Sequence, residues 1–203
     1  MRVIEPPPLL MEQIKNRYSE AHRAYHTWAH IESLLGHYEA YKGLLRDPTR
    51  VLWAIYYHDA VYDPAAQDNE VRSAALMREQ GAPYLPDARI VQVEKMILAT
   101  IKHQMPEGLG FDVRSDCAAF LDFDLAILAA PDEEFDAYEA NVRKEYAFVP
   151  EETFVGARKA VLEGFLARPQ LYFSPMLARQ WTERARANLR RSLGKLSTGI
   201  AAA

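Results

Sequence analysis

Apolar residues recur along this chain at three- and four-residue intervals, while strict apolar/polar alternation is almost absent, so the pattern predicts helices rather than half-buried strands. Leu9, Leu10, Ile14 and Tyr18 form a first helical stripe that ends between Ser19 and Arg23. A second helix is expected from Trp28 to Leu45, with Ile31, Leu34, Leu35, Tyr38 and Tyr41 turned inward. Asp47-Pro48 is a common helix entry. It opens a third helix, Thr49 to Tyr62, apolar enough to be central and long enough to carry His58 and Asp59. Further helices are expected over 69–80, ending at Gly81, and over 87–104. Pro106, Gly108 and Gly110 then predict a loop able to act as a lid. The period returns over 115–129, from Pro131 to Phe148, over 151–167 and over 175–193. The fold class expected is all-α, in one domain spanning 1–203 with a frayed tail at 197–203 and no internal repeat.

Composition narrows the setting. Apolar residues make up 49% of a 203-residue chain, enough for a core without disulfide support. Cys117 is the only cysteine and suits a reducing, cytoplasmic location. Residues 1–10 lack the apolar run of a signal peptide, and no stretch reaches the roughly 18 residues a membrane span needs. The net charge of −4 argues against an extended nucleic-acid surface and favours small-molecule partners. Gly108-Leu109-Gly110 is too short for a phosphate loop and has no Walker or dinucleotide fingerprint beside it.

Candidate chemistry is concentrated in three places. In Tyr25-His26-Thr27-Trp28-Ala29-His30 the two histidines stand four apart, which on a helix puts them on one face. Two histidines alone are equally well explained as ordinary helix-entry residues. His58-Asp59 lies against an apolar run, where ionisable groups are costly unless paired, and a metal would supply the pairing. A solvent-facing pair at a helix end is the plainer explanation of that dipeptide. In Phe120-Leu121-Asp122-Phe123-Asp124 the helical period separates the two aspartates by about 160° in projection. Asp124 falls with Phe120, Ile127 and Leu128, whereas Asp122 falls with small alanines, so Asp124 is expected to be the buried carboxylate and Asp122 the more exposed.

In order, His30, His58-Asp59 and Asp124 resemble the H…HD…D signature of the HD superfamily of metal-dependent phosphohydrolases. The spacing of Tyr25, His26 and His30 is similar to that in the cyclic-nucleotide phosphodiesterases of that superfamily. Segments 18–31, 58–73 and 181–189 resemble a small bacterial family of HD-domain hydrolases. The resemblance implies an HD-type, phosphodiesterase-like helical bundle whose metal ligands are His30, His58, Asp59 and Asp124. It also implies hydrolysis of a small phosphoester, a nucleotide or related metabolite, by metal-activated water. His26 would be the general acid, and Asp59 or Asp124 would orient the nucleophile. The chain lacks the long helical elaboration of the phosphodiesterases, so cyclic nucleotides do not transfer as substrates.

A His2Asp2 set accepts manganese, iron, cobalt, nickel, zinc or magnesium, so the cofactor expected is a divalent metal ion of unspecified identity. His103 is a candidate for phosphate or a second metal, Arg23, Arg72 and Lys102 for a phosphate clamp, and Glu70 for a supporting base. Each has a structural alternative: a helix-end histidine, surface cations and a first-turn acid. His22 and His37 read as helix-face residues, and Trp53, Tyr56, Phe123 and Trp181 as core aromatics. The competing reading is a non-catalytic metal- or nucleotide-binding module.

Overall fold

A computed structural model describes residues 3–198, and among them there are nine α-helices and no strand. The fold class is therefore all-α, as the periodicity requires. The residues group into two compact units, Met1–Phe123 and Asp124–Ala203.

The first unit holds α1 (Pro8–Arg17), α2 (Trp28–Tyr41), α3 (Pro48–Tyr57), α4 (Asn69–Gly81), α5 (Asp87–Ala99) and all but the last residue of α6 (Phe111–Asp124). Its axis is α3, in which every residue from Thr49 to Tyr57 is buried. A helix apolar on all sides must be surrounded, and α2, α4 and α5 each pack against it. The N-terminal segment adds to this cover, since Ile4 N–H donates to Thr49 Oγ1 (3.0 Å) and Trp53 Nε1–H donates to the Ile4 carbonyl (2.9 Å).

The start of α3 is fixed by charge. Asp47 caps it, accepting from Thr49 N (3.1 Å) and Arg50 N (3.4 Å), with Pro48 at the first helical position. Asp116, on α6 and with 0% exposure, accepts from Arg46 N (2.7 Å), Asp47 N (2.8 Å), Arg50 Nε (3.2 Å) and Arg50 Nη2 (2.7 Å). Arg50 also donates to Gln92 Oε1 (2.8 Å), and Arg89 Nε donates to Asp47 Oδ2 (2.7 Å), tying α5 to the same junction. Removing one partner of a buried pair leaves the other charge desolvated and unpaired, at a cost of about 3–5 kcal/mol. Asp116→Ala is therefore expected to lower unfolding stability by about that amount in urea titrations. A loss under about 1 kcal/mol, the level of an exposed pair, would show the network to be ornamental.

Several element ends differ from the sequence expectation. The third helix stops at Tyr57, five residues short of Tyr62, so His58 and Asp59 sit in the turn that follows it. The reason is competition for the backbone beyond Tyr57: Arg23 takes the Asp59 and Ala60 carbonyls, and Ser73 Oγ bonds both the N–H and the carbonyl of Val61 (3.0 and 3.2 Å). The second helix gives way to a 3-10 turn, Lys42–Leu44. The fifth ends at Ala99, where Thr100 Oγ1 bonds back to the Ile97 carbonyl (2.7 Å), and His103 follows in a left-handed conformation (φ 45°). Residues 104–110 contain no helix, and Gly108 takes φ 69°, which a side chain would disfavour.

The second unit begins at Asp124, continues through a 3-10 turn, Leu125–Ala129, and contains α7 (Asp132–Glu145), α8 (Glu151–Ala167) and α9 (Pro175–Thr198). Its core gathers Leu128, Phe135, Leu162, Tyr172, Leu177 and Leu189, with Trp181 edge-on to Tyr172 at 5.4 Å. Asn188 donates to the carbonyls of Leu128 and Ala130 (both 2.9 Å), closing the 3-10 turn onto α9. Glu139 accepts from Arg158 and from Ser192 Oγ, linking α7, α8 and α9. Arg191 and Lys195 both pair with Asp136 (2.6 and 2.7 Å), which anchors the end of α9. Ser197 and Thr198 of the expected tail are helical, while residues 199–203 lie outside the described residues.

Candidate metal centre

His26, His30, His58 and Asp59 converge in the first unit from two chain segments. His30 is the third residue of α2, and His26 lies in the bend just before the Thr27 cap rather than on the helix. The two histidines therefore do not share a helix face. They nevertheless address one carboxylate, since Asp59 Oδ2 stands 4.0 Å from His26 Nε2 and 3.9 Å from His30 Nε2. His58, just past α3, brings its Nε2 to 3.1 Å from the same oxygen and 3.2 Å from His30 Nε2.

Burial grades across the group. The side chains of His58 and His30 are 1% and 4% exposed, whereas those of Asp59 and His26 are 16% and 23% exposed. The inner end is sealed by aromatic rings: Tyr25 packs on His30 at 4.8 Å and Phe120 edge-on to His58 at 5.8 Å. At the outer end the Tyr62 ring lies 4.3 Å from that of His26. The more buried imidazoles thus lie inward and His26 stands nearest the solvent.

One hydrogen bond fixes the tautomer of the deepest histidine. His58 Nδ1 is 2.9 Å from the Ile55 carbonyl, an acceptor only, so Nδ1 carries the proton and the Nε2 lone pair of the neutral ring faces the site. The donor spacing suits a cation. Two donors each about 2.1 Å from one ion, at 90–110°, stand about 3.0–3.4 Å apart, and the separations of 3.1 and 3.2 Å fall in that range.

Asp124 joins the set from α6. It is the last residue of that helix, whose preceding residues all belong to the first unit, so the helix itself carries the carboxylate. His30, His58 and Asp124, all three buried, offer ligand atoms that all lie within 4.8 Å of one another, a group that could hold a metal ion. Asp59 is not a member of that group, but its Oδ2 lies 3.1 Å from His58 Nε2 and 3.9 Å from His30 Nε2. The expectation that Asp122 is the more exposed aspartate is overturned: Asp122 is 0% exposed and Asp124 9%. From Phe120 to Asp124 every residue is buried, so this end of α6 has no solvent side for a wheel to find. Asp124 is nonetheless buried and stands with His30 and His58 in that group.

The other candidates are distributed differently. Arg23 does not extend toward the mouth as a phosphate clamp. Its side chain is 0% exposed, and it donates to Glu20 Oε2 (3.0 Å) and to the carbonyls of His26 (2.9 Å), Asp59 (2.9 Å) and Ala60 (3.4 Å). Arg72 pairs loosely with Asp68 at 3.9 Å on the exposed side of α4, and Glu70 stands in the first turn of that helix. Lys102 and His103 lie in the turn after α5, and His103 is not a member of the close donor set.

His22 Nε2–H donates to the Tyr62 carbonyl (2.8 Å). His37 stacks on Phe123 at 5.9 Å, its protonated form disfavoured by burial. Cys117 is buried, and burial pushes its thiol up to about 12, which disfavours the thiolate. Sequence reasoning missed Asp116 altogether. The available signal was its place directly before the apolar run Cys117 to Leu121, four residues ahead of Phe120.

No helix among the described residues is long and apolar enough to cross a membrane. No family model matches the chain, and neither a curated protein nor a solved structure matches it with significance.

Proposed function

We propose that this protein is a metal-dependent phosphohydrolase of the HD type, acting on a small phosphoester such as a nucleotide or related metabolite. The reading is carried by one observation: the Nε2 atoms of His26, His30 and His58 surround a single oxygen of Asp59 at 3.1–4.0 Å. His30, His58, Asp59 and Asp124 are the residues that would hold a divalent cation. Such a cation lowers the pKa of a water and polarises a phosphoryl oxygen when bound.

The chain's own groups account for the rest of the chemistry. His58, with Nδ1–H fixed on Ile55, keeps its lone pair on the site at no cost in rearrangement. Asp59, 4.0 Å from His26 and with its side chain 16% exposed, orients the attacking water and accepts its proton. His26, at the mouth and 4.0 Å from that carboxylate, donates a proton to the leaving oxygen. Its exposure favours catalysis over a sealed structural clip, which has no use for a histidine at the mouth. A reducing, cytoplasmic setting fits the unpaired thiol of Cys117.

Metal content of the purified protein, followed by chelation and phosphate-release assays on nucleotides and sugar phosphates with added Mn, Mg or Zn, tests the proposal. Expected are a bound divalent metal, loss of turnover on chelation and recovery on readdition. Chelation should also lower the melting temperature, because a metal that binds only the folded state stabilises it by mass action. A metal-free protein inert with every added ion would sink the reading.

A further inference from the structure

Arg23 is a buried charged group beside the candidate site that the proposed chemistry does not use. Its guanidinium is enclosed between the rings of Tyr18 (5.0 Å) and Tyr62 (5.3 Å) and held by Glu20 through Nε. A fully buried guanidinium is kept only where its donors are satisfied, and here they are met by backbone oxygens of two separate segments. A single nitrogen, Nη1, donates to both the His26 and the Asp59 carbonyls at 2.9 Å, joining residues 33 positions apart in the chain through one atom.

We infer that Arg23 is a positioning residue, a clasp that sets the general acid His26 against the carboxylate of Asp59. The inference rests on the phosphohydrolase reading for its catalytic consequence and on geometry alone for its structural one. The planar fork of arginine is what allows this: one nitrogen presents two N–H groups in fixed directions, and Nη2 reaches on to Ala60. The Tyr62 ring extends the clasp, lying against the guanidinium at 5.3 Å and against the His26 ring at 4.3 Å. Backbone and ring of His26 are thus both held by groups that Arg23 touches. A shift of about 1 Å in a catalytic group can cost on the order of 10²-fold in rate, so the distance between His26 and Asp59 is worth fixing.

Arg23→Lys is the decisive variant, because an ammonium can meet one carbonyl but cannot reproduce the fork. Three readouts apply: imidazole nitrogen NMR signals of the metal-free protein, Mn2+ affinity by calorimetry, and turnover on a poor against an activated leaving group. The expected result is displaced or broadened His26 ring signals with those of His103, which Arg23 does not touch, unchanged. Mn2+ affinity should fall about 10-fold and kcat on the poor leaving group about 10–100-fold, the range for loss of a group that orients a ligand. The kcat loss should shrink on p-nitrophenyl phosphate and be less than additive with His26→Gln.

Glu20→Gln, which loosens the guanidinium from an exposed carboxylate, should act in the same direction more weakly and supplies the test if Arg23→Lys does not fold. Lower urea stability with unchanged ring signals, affinity and leaving-group ratio would reduce Arg23 to a structural brace and overturn the inference. A wild-type protein without turnover would count against the phosphohydrolase reading alone, since the ring signals and Mn2+ affinity judge the clasp without it.

Discussion

Asp59→Ala is expected to abolish both metal retention and phosphate release while leaving the fold intact. The carboxylate contributes an anionic oxygen 3.1 Å from His58 Nε2 and 3.9 Å from His30 Nε2. Outer groups that merely orient a ligand are worth about 10–100-fold in metal affinity, so loss of a ligand itself should exceed about 10²-fold. The side chain is 16% exposed and stands against the ring nitrogens of His26, His30 and His58, so its loss is expected to act first on that group of donors. Metal analysis after gel filtration, with urea unfolding on the same sample, separates the two effects. Stoichiometric metal in a folded Asp59→Ala protein would remove Asp59 from the ligand set. Collapse of the fold would instead show that the carboxylate is structural.

His26→Gln is expected to spare the metal and lose turnover. His26 stands 4.0 Å from Asp59 and its ring is 23% exposed, whereas His30 and His58 meet each other directly at 3.2 Å and should keep that separation without it. General acid catalysis contributes about 10²- to 10⁴-fold, and kcat on an ordinary phosphoester should fall by that much. The discriminating feature is the leaving group. An alcohol leaving as its alkoxide needs a proton, whereas p-nitrophenolate departs without one, so the variant's defect should nearly vanish on p-nitrophenyl phosphate. An equal loss on both substrates would move His26 from proton donor to substrate or metal binding. No loss on either would leave it outside the mechanism.

These two variants fall on residues that a reader of the sequence could select, and the reason is physical. A divalent cation demands particular donor chemistry, so His30, His58-Asp59 and Asp124 stand out as ionisable residues beside apolar runs before any contact is known. The helices were legible for a similar reason. A core-facing stripe must recur near 3.6 residues, and proline and glycine interrupt it wherever they occur. The predicted span 151–167 coincides with α8, and the opening positions of α2, α4, α5 and α9 also agree.

The sequence by itself determined the all-α class, the order of the helices and the pool of residues able to bind a metal, because each depends on local period or on side-chain chemistry. Only the tertiary structure decided how that pool is arranged. That the third helix stops at Tyr57 follows from Arg23 and Ser73, which reach its continuing backbone from elsewhere in the chain. That Asp122 is buried follows from neighbours on every side of α6, which a wheel cannot count. Asp116 belongs with Arg50 across 66 positions, and Arg23 with Asp59 across 36. Such pairings have no period: a guanidinium with five donors looks the same in sequence whether it will grip a phosphate or its own backbone, and only the fold supplies the acceptors.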